Sequence, residues 1–170
     1  PRVAIRLELI VDAYGQDLRY CTPWHTWLLW TGTHWGQDTT DAVMELARQT
    51  LRQAGQAAFQ ADDQKRITHL AKSLNHARLT AMLAQAQSLP GVPILPEALD
   101  RDAWALNCLN GTLDLRTGDL RPHAHEDYLT RCLTTAYLPD AQAPAWAAFL
   151  WRVMGGSVGG EPSPDETTAG

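Results

Sequence analysis

Residues 104–121 constrain the fold more than any other stretch, because two tight-turn sequences stand seven residues apart in it. Asn110-Gly111 is a strong signal for a two-residue hairpin turn. Thr117-Gly118 indicates a second turn, in which glycine supplies a backbone conformation that other residues resist. We therefore predict a three-strand antiparallel meander with short arms, followed by a further short strand near residues 129–133.

The middle of the chain has the apolar periodicity of helices. One helix is predicted to begin after the capping residues 38–41 and to end near residue 60. A second helical stretch is predicted over residues 63–87, with a break near Ser73 or Asn75 because either side chain can cap a new helix. The stripe of the first helix recurs every three or four residues and comprises Val43, Leu46, Ala47, Leu51, Ala54 and Ala58. Three prolines follow and predict a connector, namely Pro90, Pro93 and Pro96.

The two ends of the chain add smaller elements. We predict a helix over residues 4–14, a strand over 18–21, and an aromatic hairpin that turns at Thr31-Gly32. Pro144 is well placed to begin a last helix that ends near Met154. The fold class is therefore α+β, a central helical bundle with small antiparallel hairpin and meander elements. Residues 1–156 are predicted to form the domain, and residues 157–170, rich in glycine and proline, a flexible tail or linker.

The charge balance limits how this chain could bind DNA. The formal net charge is −5, whereas affinity for nucleic acid comes largely from the neutralisation of phosphates. Any DNA contact should therefore be weak and local, through a basic patch on the two helical stretches. The alternative is a solvated helix face, since acidic residues such as Glu45 and Asp62 stand nearby. The candidate DNA-contacting residues on the helices are Arg48, Arg52, Arg66, Lys72 and Arg78.

Tryptophans of the predicted hairpin give a second candidate contact. Trp27, Trp30 and Trp35 can stack on single-stranded bases if their rings are exposed, or fill the core if they are not. Period-two alternation does not say which face of the strand is buried. Trp30 is the residue we select as a candidate for base stacking.

No catalytic, cofactor-binding or metal-binding residue is assigned. His123 and His125 stand beside acidic residues, but no further histidine or cysteine has the spacing of a metal site. Asp114 and Asp119 flank a turn, where aspartate is common for reasons of backbone geometry. The three cysteines include no C-x-x-C pair, which favours a reduced, cytoplasmic setting, and the longest apolar run is too short for a membrane span.

The meander sequence resembles that of a known family. Residues 107–123 fit the signature N-x-x-N-G-x-L-D-L-x-T-G-x-L-x-P-H. This signature is similar to that of the domain N-terminal to the superfamily 3 helicase in phage and plasmid DNA primases and poxvirus replication helicases. Further motifs in the same order extend the resemblance over about residues 5–156, at Arg19-Tyr20, at Trp27 to Trp35, at 127–130 and at 137–150.

The resemblance implies a role in DNA replication. Such a domain would link primase and helicase modules of one polypeptide, assist DNA loading or help a ring of identical subunits to assemble. ATP and magnesium would serve the helicase module, and this chain contains no G-x-x-x-x-G-K-[ST] phosphate-binding loop. We therefore expect no cofactor and no ATP hydrolysis here. A stand-alone adaptor that engages a replication complex, such as a truncated prophage product, is the alternative.

Overall fold

The computed structural model describes residues 13–154, so the predicted first helix and tail lie almost entirely outside the described residues. The contacts divide the chain into two units, the first ending at Tyr137 and the second beginning at Leu138. Within residues 18–137, the first unit contains two small sheets and three α-helices, which confirms the α+β prediction. The predicted domain boundary at residue 156 also lies outside the described part.

The first sheet consists of β1 (Leu18–Cys21), β2 (Thr26–Trp30), β3 (Trp35–Gln37) and β4 (Pro93–Ile94), in the order β3-β2-β1-β4. β1, β2 and β3 are antiparallel, whereas β4 is parallel to β1 and comes from the proline-rich connector. The prediction treated that connector as irregular and missed its short strand.

The aromatic hairpin is confirmed, but its predicted two-residue turn is wrong. Trp30 pairs with Trp35, so four residues connect the strands. The Thr31 backbone N–H donates to the His34 carbonyl at 2.9 Å, and the His34 N–H donates to the Thr31 hydroxyl at 3.2 Å. These two hydrogen bonds close a longer loop, in which Gly32 has a φ of 95°. The length of the loop therefore depends on these hydrogen bonds, one of which uses the Thr31 side chain, and turn propensity alone did not predict it.

Three helices follow the hairpin, and the predicted break between the second and third is confirmed. The Asn75 side chain accepts a hydrogen bond from the Ala77 N–H at 3.0 Å and so caps the third helix. At the start of the helix that begins at Ala42, the N-cap residue Asp41 makes no side-chain bond, and the Asp38 carboxylate instead accepts from the N–H groups of Ala42 and Val43, both at 2.9 Å. The helices are α1 (Ala42–Gln60), α2 (Gln64–Ser73) and α3 (His76–Ala86).

The main core lies where the three helices pack together and meet β1. The predicted α1 stripe supplies four of its buried residues, and Leu46 and Ala54 pack against it partly buried. A smaller cluster forms around Trp35 and Leu28 on the first sheet. Burial of apolar area on this scale is the main stabilising term for a small domain. The core residues of the helical cluster are Leu18, Val43, Ala47, Leu51, Ala58, Leu70, Leu79, Met82, Leu83 and Ala86.

Gly55 lies inside α1, where glycine weakens a helix by its backbone entropy. A Cβ atom built on Gly55 meets nothing within 4 Å. We therefore expect Gly55→Ala to raise the free energy of unfolding by about 0.5–1 kcal/mol. Urea unfolding followed by circular dichroism measures this. A lower stability of the variant would show that the helix surface around Gly55 is filled.

The meander forms the second sheet, with β5 (Ala105–Cys108), β6 (Gly111–Asp114) and β7 (Leu120–Arg121) in that order, which confirms the three predicted strands. The first turn, however, lies one residue earlier than predicted, because Cys108 pairs with Gly111 and leaves Leu109 and Asn110 between the strands. Asn110 is engaged elsewhere, since its side chain exchanges two hydrogen bonds with the Tyr137 backbone, both at 2.9 Å.

The strand predicted near residues 129–133 is wrong. This stretch has no regular strand and instead runs irregularly beside β5. The Leu133 N–H donates to the Asn107 carbonyl at 2.8 Å, and the Leu109 N–H donates to the Thr135 carbonyl at 3.1 Å. The spaced bonds hold the segment against the sheet without making a continuous ladder.

The second unit contains the predicted last helix, α4 (Pro144–Val153), with Pro144 in its first turn. No residue of α4 is buried, and the rings of Trp146 and Phe149 stack with centroids 5.4 Å apart. Within residues 13–154, no helix has both the length and the apolar character needed to cross a membrane.

Candidate nucleic-acid interface

The three-helix segment carries a local excess of positive charge. Six of the chain's fourteen lysines and arginines lie within residues 42–87, but only three of its nineteen acidic residues. The chain as a whole has a net charge of −5, so this segment differs in sign from the rest of the protein. Charge separated in this way creates a local field that attracts anions even when the whole molecule is acidic.

Arg48 and Arg52 lie one turn apart on α1 and share one carboxylate. Their guanidinium nitrogens are 3.4 Å and 3.5 Å from the two oxygens of Glu45. Ion pairs between side chains as exposed as these contribute little to stability. One carboxylate between two guanidinium groups leaves a net positive charge on this part of α1.

Arg78 and Lys72 are brought together at the break between α2 and α3. The Arg78 guanidinium donates to the Lys72 backbone carbonyl at 2.9 Å, at the C-terminal end of α2. Cationic side chains at that end satisfy free carbonyls and complement the helix dipole. Arg78 therefore supports the helix end as well as carrying charge.

Arg66 stands in the first turn of α2, near the opposite end of that helix. Its backbone N–H donates to the Asp63 side chain at 2.9 Å, which caps the helix. Within residues 13–154, the side chains of Arg66, Lys72 and Arg78 form no ion pair with an acidic residue. Four of the five predicted basic residues thus lie in two pairs on the helical segment, Arg48 with Arg52 and Lys72 with Arg78. Within the described residues, the side chain of Arg66 contacts neither pair.

Trp30 belongs to the cluster on the first sheet. Its ring is half-buried, 4.3 Å from the His125 ring and 5.7 Å from Trp35 between centroids. Trp35 is only 1% exposed, and its indole N–H donates to the His125 carbonyl at 3.0 Å. Packing therefore already occupies much of the Trp30 surface, and base stacking by this residue stays a prediction.

A network around Arg19 was missed from the sequence, although Arg19-Tyr20 belongs to the matching motifs. The guanidinium carbon lies 4.9 Å from the Trp35 ring centroid and 5.8 Å from that of Tyr128. Nearby, His125 Nε2 lies 2.8 Å from an Asp17 carboxylate oxygen. These contacts are cation–π and polar links between the start of the described chain and the segment after the meander. These contacts hold residues 125–128 against the first sheet. Their partners are far apart in sequence, so no sequence pattern shows that they meet.

Asn107 is the polar centre of the second sheet. Its side-chain NH₂ donates to the carbonyls of Thr33 and Arg131, both at 2.9 Å. Its side-chain oxygen accepts from the Thr112 hydroxyl at 3.3 Å and from His123 Nδ1 at 2.8 Å. Asn107 is 5% exposed, so a buried amide joins the hairpin loop, the meander and the following segment. The motif contains this asparagine, but its partners are remote in sequence.

Three of the side chains near the sites considered for metal binding or catalysis have structural partners, namely those of His123, Asp127 and Asp114. His123 bonds to Asn107, and Asp127 forms a two-bond ion pair with Arg121 at 2.6 Å and 2.8 Å. That pairing raises the pKa of Arg121. Asp114 accepts from the Arg116 N–H at 2.8 Å and so shapes the second turn. Within the described part of the chain, no three such side chains form a group that could hold a metal ion.

Comparison with known proteins gives the family. No curated protein matches the chain. Residues 8–155 match the family described as D5 N terminal like, and this span covers both the helical segment and the meander. The chain therefore belongs to the D5 N-terminal-like family, the domain found N-terminal to the primase-helicase of phage and poxvirus D5-type proteins.

Proposed function

We propose that this chain is a non-catalytic accessory domain of a phage- or plasmid-type DNA primase-helicase. In that role it links primase and helicase modules and assists DNA loading or the assembly of a helicase ring. Membership of the D5 N-terminal-like family supports the replicative setting. ATP and magnesium chemistry would belong to the helicase module, in keeping with a sequence that has no phosphate-binding loop.

The observation that carries a DNA contact is the positive excess on α1, where Arg48 and Arg52 share only Glu45. Each guanidinium that neutralises a phosphate releases counterions, which makes binding weaken steeply as salt rises. An isolated domain with few such contacts binds weakly. Attachment to a multi-subunit ring raises the effective concentration of DNA at the domain and compensates for this weakness.

Charge reversal at these two positions tests the proposal. We expect Arg48→Glu combined with Arg52→Glu to weaken binding of labelled single-stranded DNA at least about tenfold. The slope of log affinity against log salt should become shallower by about 1.4 units, about 0.7 for each lost contact with a phosphate of single-stranded DNA. Fluorescence anisotropy at several salt concentrations measures both quantities.

A matched control changes the net charge by the same amount elsewhere. Arg101 and Arg131 are exposed and lie outside the helical segment. Arg101→Glu combined with Arg131→Glu should leave most of the affinity. Equal losses in the two double variants would mean that net charge alone matters. Absence of binding by the wild type at every salt concentration would reject the DNA contact and favour a role through protein contacts.

A further inference from the structure

Two of the three cysteines, Cys108 and Cys132, are in contact although 24 residues separate them in the sequence. The sulfur of Cys132 lies 3.4 Å from the backbone carbonyl oxygen of Cys108. Both thiols are free, and the third cysteine, Cys21, belongs to the buried cluster of the first sheet. A pair of thiols that is remote in sequence and adjacent in space is a candidate for a disulfide.

The backbone segments that carry the two cysteines are held at the spacing that a disulfide needs. Two hydrogen bonds join these segments, from the Leu133 N–H to the Asn107 carbonyl at 2.8 Å and from the Leu109 N–H to the Thr135 carbonyl at 3.1 Å. Backbone bonds between adjacent segments bring their Cα atoms to about 4.5–5.5 Å, within the range of about 4.4–6.8 Å that disulfides span. Joining the sulfurs therefore requires the two side chains to turn about their Cα–Cβ bonds, and does not require the segments to approach each other.

The two thiols differ in their access to solvent. Cys108 is 3% exposed, whereas Cys132 is only half-buried. Burial, and to a smaller extent the neighbouring Cys132, raise the pKa of Cys108, which keeps the Cys108 sulfur protonated. A dissolved oxidant therefore reaches Cys132 first, and Cys108 is placed to close the bond afterwards.

We propose that Cys108 and Cys132 form a reversible disulfide when a peroxide oxidises the folded protein. The Cys132 sulfur attacks hydrogen peroxide, so that an S–O bond forms, the O–O bond breaks and water leaves, which gives a sulfenic acid. The Cys108 sulfur then attacks the sulfenic sulfur. The S–S bond forms, the S–O bond breaks, and the hydroxyl group leaves as water with the Cys108 proton. The two thiols together lose two electrons, and the peroxide gains them.

The disulfide would close a covalent loop around β6, β7 and the segment that returns to β5. With both thiols reduced, that segment is held beside β5 by separate hydrogen bonds rather than by a continuous ladder. A cross-link over such a loop restricts the unfolded chain and so stabilises the fold. Disulfides that form in reducing surroundings are usually transient and redox-sensing. The inference does not depend on the proposed DNA contact, because neither cysteine lies on the helical segment.

Peptide mapping of the full chain tests the inference. The folded protein is treated with hydrogen peroxide, its remaining thiols are alkylated, and trypsin then releases the three cysteines in the separate peptides 20–48, 102–116 and 132–152. We expect the linked pair 102–116 and 132–152 to exceed every linkage to 20–48 by at least about tenfold, because only the fold brings the first two together. The same treatment in concentrated urea should remove this preference.

Cys132→Ser and Cys21→Ala are the matched variants, each checked for its fold by circular dichroism before oxidation. Peroxide should raise the Tm of the wild type and of Cys21→Ala, and a thiol reductant should reverse the rise. Cys132→Ser should form no internal linkage and show no rise. Oxidation of Cys132 to sulfinic acid without a linked peptide, linkage between two chains instead of within one, or a lower Tm of the linked protein would each overturn the inference.

Discussion

Asn107→Asp is expected to lower the free energy of unfolding by about 3–5 kcal/mol, enough to leave much of the protein unfolded. The substitution keeps the shape of the side chain but replaces its two N–H donors by oxygen. That oxygen would face the carbonyl oxygens of Thr33 and Arg131, which now accept hydrogen bonds at 2.9 Å. Both carbonyls would lose a partner, and a buried negative charge would lie between them.

The same chemical change at Asn110 is the control. Asn110 is exposed and bonds only to the Tyr137 backbone, donating to its carbonyl and accepting from its N–H. Asn110→Asp removes the NH₂ group that donates to the Tyr137 carbonyl, but water can reach that carbonyl at this exposed position. We therefore expect the free energy of unfolding to fall by only about 1 kcal/mol. Urea unfolding of both variants, followed by tryptophan fluorescence, makes the comparison. Equal losses would show that Asn107 is not the buried link between the three segments.

The elements predicted correctly are those that local chemistry determines. The α1 stripe and the capping asparagine before α3 act within a few residues of themselves, and their outcome was predictable. The pairing of β4 with β1 was not, because two residues of a proline-rich connector carry no strand signal of their own. Only the position of the connector beside β1 makes them a strand.

For the candidate interface, the sequence predicted which basic residues lie on the helices, but not how their side chains are arranged. The sequence shows that Arg48 and Arg52 lie one helical turn apart, but not that they share Glu45. Phe59 directly follows the buried stripe residue Ala58 but is itself 75% exposed. Its exposure depends on how α1 and α2 pack against each other, which the sequence of neither helix shows.

Gly111→Ala is expected to lower the free energy of unfolding by about 2–3 kcal/mol, because the meander leaves no room for a side chain at this position. A Cβ atom there would lie 2.5 Å from the Arg121 carbonyl oxygen and 3.1 Å from the Leu120 side chain. Gly111 also has a φ of 152°. Since the obstructing atom is backbone, β6 and β7 would have to separate to admit the methyl group.

Gly118 is the control, because a side chain there would have an unfavourable backbone φ but no steric clash. Its φ is 80°, but a Cβ atom there would meet nothing within 4 Å. Gly118→Ala therefore carries only the strain of positive φ, about 1 kcal/mol. Thermal unfolding of the two variants beside the wild type should show the larger fall in Tm for Gly111→Ala. A fall of similar size in both would mean that β7 moves aside freely, and that the close approach of Arg121 to Gly111 does not hold the meander together.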